Sequence, residues 1–546
     1  MIQAQILDVS SAYDPVDGAV LEVYGITPEG ENVEVTIDGF RPYFYVNVLP
    51  GMEIDVVEQL WEMGLKTELV QRYEPIGYQT KTKSMIKVTA KNPKDVRYWR
   101  EKVLVLPGIT AVYEADMLFK NRFLADHDLG GMSWIEVPGS RVKHSLARPA
   151  AREDNAPLKL MTFDIECLSR DGQMPTPDKC PTILISLAFS PAYNGIDNMV
   201  LMANDVFCPR PDVKACTDEK GMIKRFLAIM NEFDPDVVAG YNSNGFDFEY
   251  LDKRCKVLHL NPAVSRNGTR WFVQPRPQGG NRVSITGRVV VDMLPVIRAN
   301  HSLKQYNLKT VAHELLKKEK LDVPPKEMAS LWYGELEDLV KFVKYARRDA
   351  VLVMDMLKEL KPLEKYIALA KVSGLLLQDV LDGGQSGMVE NLLLRKFKAR
   401  NRVLPMKPRE EVGNLRQEEN ENLAGGFVLD PETGLQEDVA ILDYKSLYPT
   451  IMIAHNLCFS TVLLDRAAPE GMTVITSPHG GMFVSHEVYK GIIPEVLEWL
   501  LDQRLQAKKA MKASKIDSER DLLDAKQYAY KILLNSFYGY SGYARA

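Results

Sequence analysis

A chain of 546 residues is too long for one hydrophobic core and implies three or four domains. Hydrophobic residues make up 46% and charged residues 26%, the ordinary range of soluble proteins, so each domain can bury a core of its own. Lys and Arg number 68 against 73 Asp and Glu, a net charge of -5 that excludes a surface coated in basic residues; any polyanion must be met by local clusters. The six cysteines (Cys167, Cys180, Cys208, Cys216, Cys255 and Cys458) include no C-x-x-C pair, which fits a reducing interior without disulfide framework or zinc site. Met1-Ile-Gln-Ala-Gln has neither a basic nor an apolar leader, and no apolar run nears bilayer-spanning length. A cytoplasmic protein without membrane contact is expected.

In chain order, Leu21-Glu-Val-Tyr-Gly25, Val33-Glu-Val-Thr-Ile37 and Pro42-Tyr-Phe-Tyr-Val-Asn-Val48 are short β-rich runs bounded by Gly and Pro, and Asp55 to Met63 has a helical pattern. A polar, Pro-containing stretch, 141–157, reads as a linker. From Leu158 to about Leu360 strands alternate with helical patterns, which predicts an α/β domain. Helical stretches follow, then a strand over Asp438–Leu442 and two long amphipathic helices, about 494–511 and 518–535, the second with a capping start in Ser518-Glu-Arg-Asp521.

Three short patterns in the α/β region carry chemistry. In Leu160-Met-Thr-Phe-Asp164-Ile-Glu166, strand alternation puts Leu160, Thr162, Asp164 and Glu166 on one face and Met161, Phe163 and Ile165 on the other. Two carboxylates on an apolar strand need a reason, because acidic residues are depleted in strands; an edge-strand charge pair is the plain alternative. After the strand Asp236-Val-Val-Ala-Gly240 comes Tyr241-Asn242-Ser-Asn-Gly245-Phe246-Asp247, where Asp247 could simply cap the next helix. In Tyr345-Ala-Arg-Arg-Asp349 the phenol and carboxylate share a helix face, as would any surface i, i+4 pair.

In this order the three patterns resemble the D-x-E, N-x-x-x-F-D and Y-x-x-x-D motifs of DEDD-type 3′→5′ exonucleases in their tyrosine form. Four carboxylates suit two hard cations bridged by a phosphodiester. The resemblance assigns Asp164, Glu166, Asp247 and Asp349 to two Mg²⁺ ions, with Mn²⁺ as a substitute. It gives Tyr345 the task of orienting the attacking water, and Asn242 and Phe246 the terminal nucleotides.

Downstream, Val439-Ala-Ile-Leu-Asp443 runs into Ser446-Leu447-Tyr448-Pro449, and the string D-x-x-S-L-Y-P is similar to motif A of family B DNA polymerases. The resemblance implies that Asp443 and the Leu447 backbone meet catalytic Mg²⁺ and the incoming deoxynucleoside triphosphate. Ser446 sits beside them and Tyr448 packs under the sugar, where a ring excludes a 2′-hydroxyl. Arg504, Lys508, Lys509, Lys512 and Lys515 make the first amphipathic segment basic; a solvated hairpin is the plain reading. Beside motif A the pair resembles polymerase fingers. Lys531 and Arg504 would then clamp the triphosphate, while Asn535 and Tyr538 face the nascent base pair.

Two departures from the family stand out: Leu423-Ala-Gly425-Gly426 replaces the usual Y-x-G-G, and the D-T-D motif and thumb are not within these residues. The N-terminal region is further similar to the template-uracil pocket of archaeal members, at Tyr13, Pro42, Tyr43, Pro93, Val96 and Phe119.

The resemblance implies a multidomain α/β and α+β chain. Its expected parts are a β-rich N-terminal domain (1–150, with a second segment near 361–405), an RNase H-like 3′→5′ exonuclease domain (151–360), the first part of a polymerase palm (361–490) and helical fingers leading into further palm (491–546). Implied partners are primer-template and single-stranded DNA, deoxynucleoside triphosphates, and a small subunit carrying motif C and the thumb. A sliding clamp would be met through that missing part. The expectation is the large subunit of a split archaeal-type polymerase. The alternatives are a stand-alone exonuclease whose palm remnant grips DNA, and a DNA-binding scaffold with both sites dead.

Overall fold

The computed structural model describes every residue except 15–17, 169–172, 205–211, 277–278, 321–322, 422–427, 466–469 and 544–546. Strands Ile2–Asp14, Gly18–Ile26 and Asn32–Asp38 form the middle of a six-stranded sheet, with Trp134–Val137 and Arg148–Pro149 added on one side and Arg141–Lys143 on the other. The stretch expected to be a linker is therefore partly built into a sheet. Arg141–Lys143 runs parallel to Thr36–Asp38, and Arg148–Pro149 pairs with Ile135–Glu136. Both are edge positions, where pairing needs only half of the backbone groups and polar or Pro side chains are tolerated.

A second sheet, in the order Lys66–Arg72, Lys83–Thr89, Tyr43–Val48, Ile109–Tyr113, is covered by helices Glu53–Glu62 and Val96–Leu104 through Val56, Leu60, Val96 and Val103.

The middle domain is a mixed six-stranded sheet in the order Val213–Ala215, Ile196–Met202, Thr182–Tyr193, Leu160–Cys167, Val237–Gly240, Val289–Asp292. Leu160–Cys167 lies between an antiparallel and a parallel neighbour, so its carboxylates do not sit on an edge strand. Met161, Phe163 and Ile165 face the helices Glu219–Phe233 and Asp247–Val257, where the Phe163 ring meets Phe226 at 5.5 Å and Phe248 at 4.9 Å. Each such burial stabilises the domain by about 1.5–3 kcal/mol. The opposite face is covered by the long helix Leu336–Glu359, whose buried Leu339, Phe342, Val343, Ala346, Ala350, Val353 and Leu357 recur at helical spacing. Thr162 Oγ1 donates to the carbonyl of Ala350 on that helix at 2.8 Å, tying strand to helix beside the carboxylates.

Helices Pro362–Ser373 and Gln385–Ala399 share one core with the closing pair Ile492–Ala513 and Asp517–Ser541, through Leu363, Ile367, Met388, Leu392, Val496, Leu500, Ala529, Leu533 and Phe537. The segments that follow the first two of these helices reach the N-terminal region: Val403 N donates to Tyr73 O, and a Cβ on Gly131 would run into the Leu375 carbonyl, so only glycine permits that approach.

Two expectations fail here. Asp438–Leu442 is not a strand: Val439 is 65%, Ile441 89% and Leu442 94% exposed. An apolar run becomes a strand only where neighbours take its backbone hydrogen bonds, and no described strand pairs with it. The last helix begins at Asp517 with Ile516 as its cap, so Ser518 lies inside the first turn and Ser514 Oγ accepts the Ile516 N–H instead. Among the described residues no helix is long and apolar enough to cross a membrane. The five described cysteines are free; Cys208 lies outside the described residues, as does Leu423-Ala-Gly-Gly426.

Candidate active site

The carboxylates of Asp164, Glu166 and Asp349 converge, each offering an oxygen within 4.8 Å of the others. Asp164 and Glu166 come from the apolar central strand, and Asp349 from the long helix one turn after Tyr345. Asp247 is buried in the first turn of its helix, and its Oδ1 accepts the N–H of Ile165, between the two strand carboxylates, at 3.2 Å. Tyr345 is buried, stacked against Phe342 at 6.1 Å. Asn242 is exposed and Phe246 half-buried, the latter against Tyr250 at 5.3 Å. Of the seven residues expected at this site, Asp164 and Glu166 stand on the central strand, Tyr345 and Asp349 share one helix, and Asp247 opens another; Asn242 and Phe246 sit on the loop entering it.

Lys320 was not anticipated. Its Nζ forms an ion pair with Asp349 Oδ2 at 2.6 Å and lies over the Tyr345 ring at 5.5 Å. In the sequence it ends the run Lys317-Lys-Glu-Lys320, which reads as a solvated charge cluster; nothing local marks it. Burial pulls its pKa down, but Asp349 with Asp164 and Glu166 outweighs this and the net shift is upward. One buried cation does not neutralise the cluster. Burial, then Asp247, Asp349 and Glu166, push Asp164 well above the usual carboxylate range. Burial and Asp349 push Glu166 up to about 8, and burial pushes Asp247 to about 7 against two backbone N–H groups. Oxygen ligands this close, buried and reluctant to carry their charge, fit divalent hard cations such as Mg²⁺.

The polymerase-like residues are arranged differently. Asp443 lies in an exposed stretch without regular structure, and Ser446, at φ 54°, precedes the helix Leu447–Ala454. Tyr448 stacks on Tyr538 with ring centroids 3.8 Å apart and planes at 6°, joining motif A to the last helix. Lys531, Asn535 and Tyr538 are exposed on that helix, and Arg504 is half-buried on the preceding one.

Of the residues expected to form a uracil pocket, Tyr43 lines a cavity of about 450 Å³ with Phe40, Arg122 and His144. Pro42 neighbours the Asn92–Val96 turn through Ala90 N to Pro42 O at 2.9 Å, and Pro93 opens that turn. Val96 packs in the apolar core under the second sheet, Phe119 stacks on Phe40 at 5.4 Å, and Tyr13 is 55% exposed.

Two family descriptions match this chain: "DNA polymerase family B, exonuclease domain" over residues 110–311 and "DNA polymerase family B" over 375–546. The chain belongs to DNA polymerase family B. The exonuclease match takes in Asp164, Glu166 and Asp247 and ends before Tyr345 and Asp349. Similar family B proteins include the DNA polymerase of Thermococcus gorgonarius, 34% identical over 94% of this chain and 62% of its own length. The DNA polymerase delta catalytic subunit of Oryza sativa subsp. japonica is 31% identical over 96% and 53% respectively. The solved structure of the family B DNA polymerase from Pyrobaculum calidifontis superposes with a TM-score of 0.81 at 28% identity, covering 100% of this chain and 69% of that one. The chain spans about half to three fifths of the length of the curated family B relatives it matches.

Proposed function

We propose that the middle domain hydrolyses DNA from its 3′ end and that residues from Asp443 to Tyr538 form part of a template-directed DNA synthesis site. The observation that carries the first half is the convergence of Asp164, Glu166 and Asp349 within 4.8 Å, with Tyr345 one helical turn from Asp349. Those three carboxylates, with Asp247 behind Ile165, are the residues to hold two Mg²⁺ or Mn²⁺ ions. Bound there, such ions would polarise the scissile phosphate and lower the pKa of an attacking water. The Tyr345 phenol orients that water, while Asn242 and Phe246 hold the terminal nucleotides. Lys320 supplies a cation beside Asp349.

For synthesis, Asp443 is a metal-binding carboxylate, Arg504 and Lys531 bind the triphosphate, and Asn535 with Tyr538 meets the new pair. The Tyr448–Tyr538 stack supports a shared site for motif A and the fingers. A second palm carboxylate and a thumb are contributed by further polypeptide, either another chain or another part of the same protein. The implied substrates are single-stranded and primer-template DNA and deoxynucleoside triphosphates.

The metal site is tested by thermal melting against pH. Glu166 has a folded pKa of about 8, above its usual 4.5, so the folded state holds protons that the unfolded state has released. The stability that the protonated Glu166 contributes to the metal-free protein is therefore fully present below about pH 4.5 and is lost as pH rises toward 8. Mg²⁺ should raise the melting temperature most at pH 8 and little at pH 5. Glu166→Gln should melt higher than the wild type without metal at pH 8, and gain less from Mg²⁺. Equal Mg²⁺ stabilisation of both proteins at pH 8 would place the cation elsewhere.

A further inference from the structure

Asp292 ends the strand Val289–Asp292, next to Val237–Gly240 in the middle sheet, and is 7% exposed. Its carboxylate accepts three backbone N–H groups: Leu294 at 3.0 Å, Asn242 at 2.8 Å and Asn244 at 3.1 Å. The Leu294 bond is an ordinary cap on the helix Met293–Asn300. The other two bonds reach a different element, the loop after Val237–Gly240, and a helix cap does not require them.

That loop has an unusual backbone. Asn242 has φ 61°, the left-handed region that side chains other than Gly seldom occupy. Its Oδ1 lies over Gly245, where an added Cβ would stand 2.7 Å from that oxygen. The Asn242 carbonyl in turn accepts the N–H groups of Gly245 and Phe246, each at 3.0 Å. A left-handed asparagine above a bare glycine fixes the direction of the Asn242 amide, and bonds from a charged acceptor are the strong kind that can hold such a conformation. Asn242, Asn244, Gly245 and Asp292 line one cavity of about 680 Å³, which Arg298, a cation suited to a phosphate backbone, also lines; Arg276 lines it too but is paired with Asp382 at 2.7 Å. None of the four carboxylates of the metal site lines this cavity.

We propose that Asp292 is a positioning residue for DNA: it holds the Asn242 backbone left-handed so that the Asn242 amide meets the 3′-terminal nucleotide of a single strand. The role given to Asn242 rests on the exonuclease reading above. Asp292 acts through Asn242 and touches neither substrate nor metal.

The test is a double-variant cycle read by fluorescence anisotropy of a 5′-labelled oligothymidylate with a free 3′-hydroxyl, in Ca²⁺. Asp292→Ser keeps a cap for Leu294 N but is too short to hold both loop N–H groups; Asn242→Gly removes the amide and tolerates the left-handed backbone. Each should weaken binding about tenfold, as loss of a group that orients a contacting residue does. The double variant should bind no more weakly than Asn242→Gly alone. Should Asp292→Ser fail to fold, Asp292→Asn, which offers one acceptor oxygen, gives the same cycle. Full additivity, wild-type binding by the Asp292 variant, or no binding by the wild type overturns the proposal. Hydrolysis in Mg²⁺ is scored separately: a wild type that binds with the expected cycle but never cleaves leaves Asp292 its role and removes the exonuclease reading.

Discussion

Asp164→Ala should abolish 3′ hydrolysis of single-stranded DNA, with a loss on the order of 10³-fold or more in rate. Asp164 stands on a strand inside the sheet, paired with Ser186 of the antiparallel neighbour, so its place cannot be taken by a shift of the backbone. The charges that act on it most are the carboxylates of Asp247, Asp349 and Glu166, opposed by Lys320, all of them in the same cluster. The fold should survive. Asp164 is half-buried on the polar face, whereas the domain is held by Met161, Phe163 and Ile165 on the other. Removing a carboxylate whose charge burial and its neighbours disfavour should even raise the melting temperature of the metal-free protein as pH rises. Near-normal digestion by this variant, folded as its melt shows, would remove the assignment.

Much of that site was legible in the sequence because its parts are local. Alternation along Leu160–Glu166 fixes which residues share a face, and the long helix shows its apolar stripe around Tyr345 and Asp349. What alternation cannot say is whether a strand is central or at an edge, and so whether two carboxylates are a solvated pair or a buried one; the pairing on both sides of Leu160–Cys167 decides it. Lys320 and Asp292 were illegible for a different reason. Each acts on residues distant in sequence, Asp349 for one and the Asn242 loop for the other, and neither belongs to a local pattern. The failed strand at Asp438–Leu442 shows the converse limit, since an apolar run states a preference for burial without supplying the partner. The stretch expected as a linker over 141–157 is partly paired for a related reason, because edge pairing draws on backbone groups that composition does not report.

Asp443→Ala should eliminate primer extension, again on the order of 10³-fold or more, once these residues are joined by polypeptide supplying a second palm carboxylate and a thumb. In the same preparation 3′ hydrolysis should be unchanged, because the two sites draw on different residues: Asp443 lies outside every strand and helix of the middle domain. On the proposed roles of Arg504 and Lys531 the triphosphate is held without that carboxylate, so nucleotide binding should persist while chemistry stops. Loss of both activities together in Asp443→Ala would mean that the sites are not separate. Extension at the wild-type rate would remove Asp443 from the synthesis site.

The measurement closest to the central claim follows a 5′-labelled single-stranded oligonucleotide incubated with the wild-type chain in Mg²⁺ and resolved by length over time. Hydrolysis from the 3′ end at the Asp164, Glu166 and Asp349 cluster predicts a descending ladder of labelled fragments, each one nucleotide shorter, that stops when EDTA is added. An oligonucleotide that stays full length, or a label released as a mononucleotide from the first time point, would contradict it.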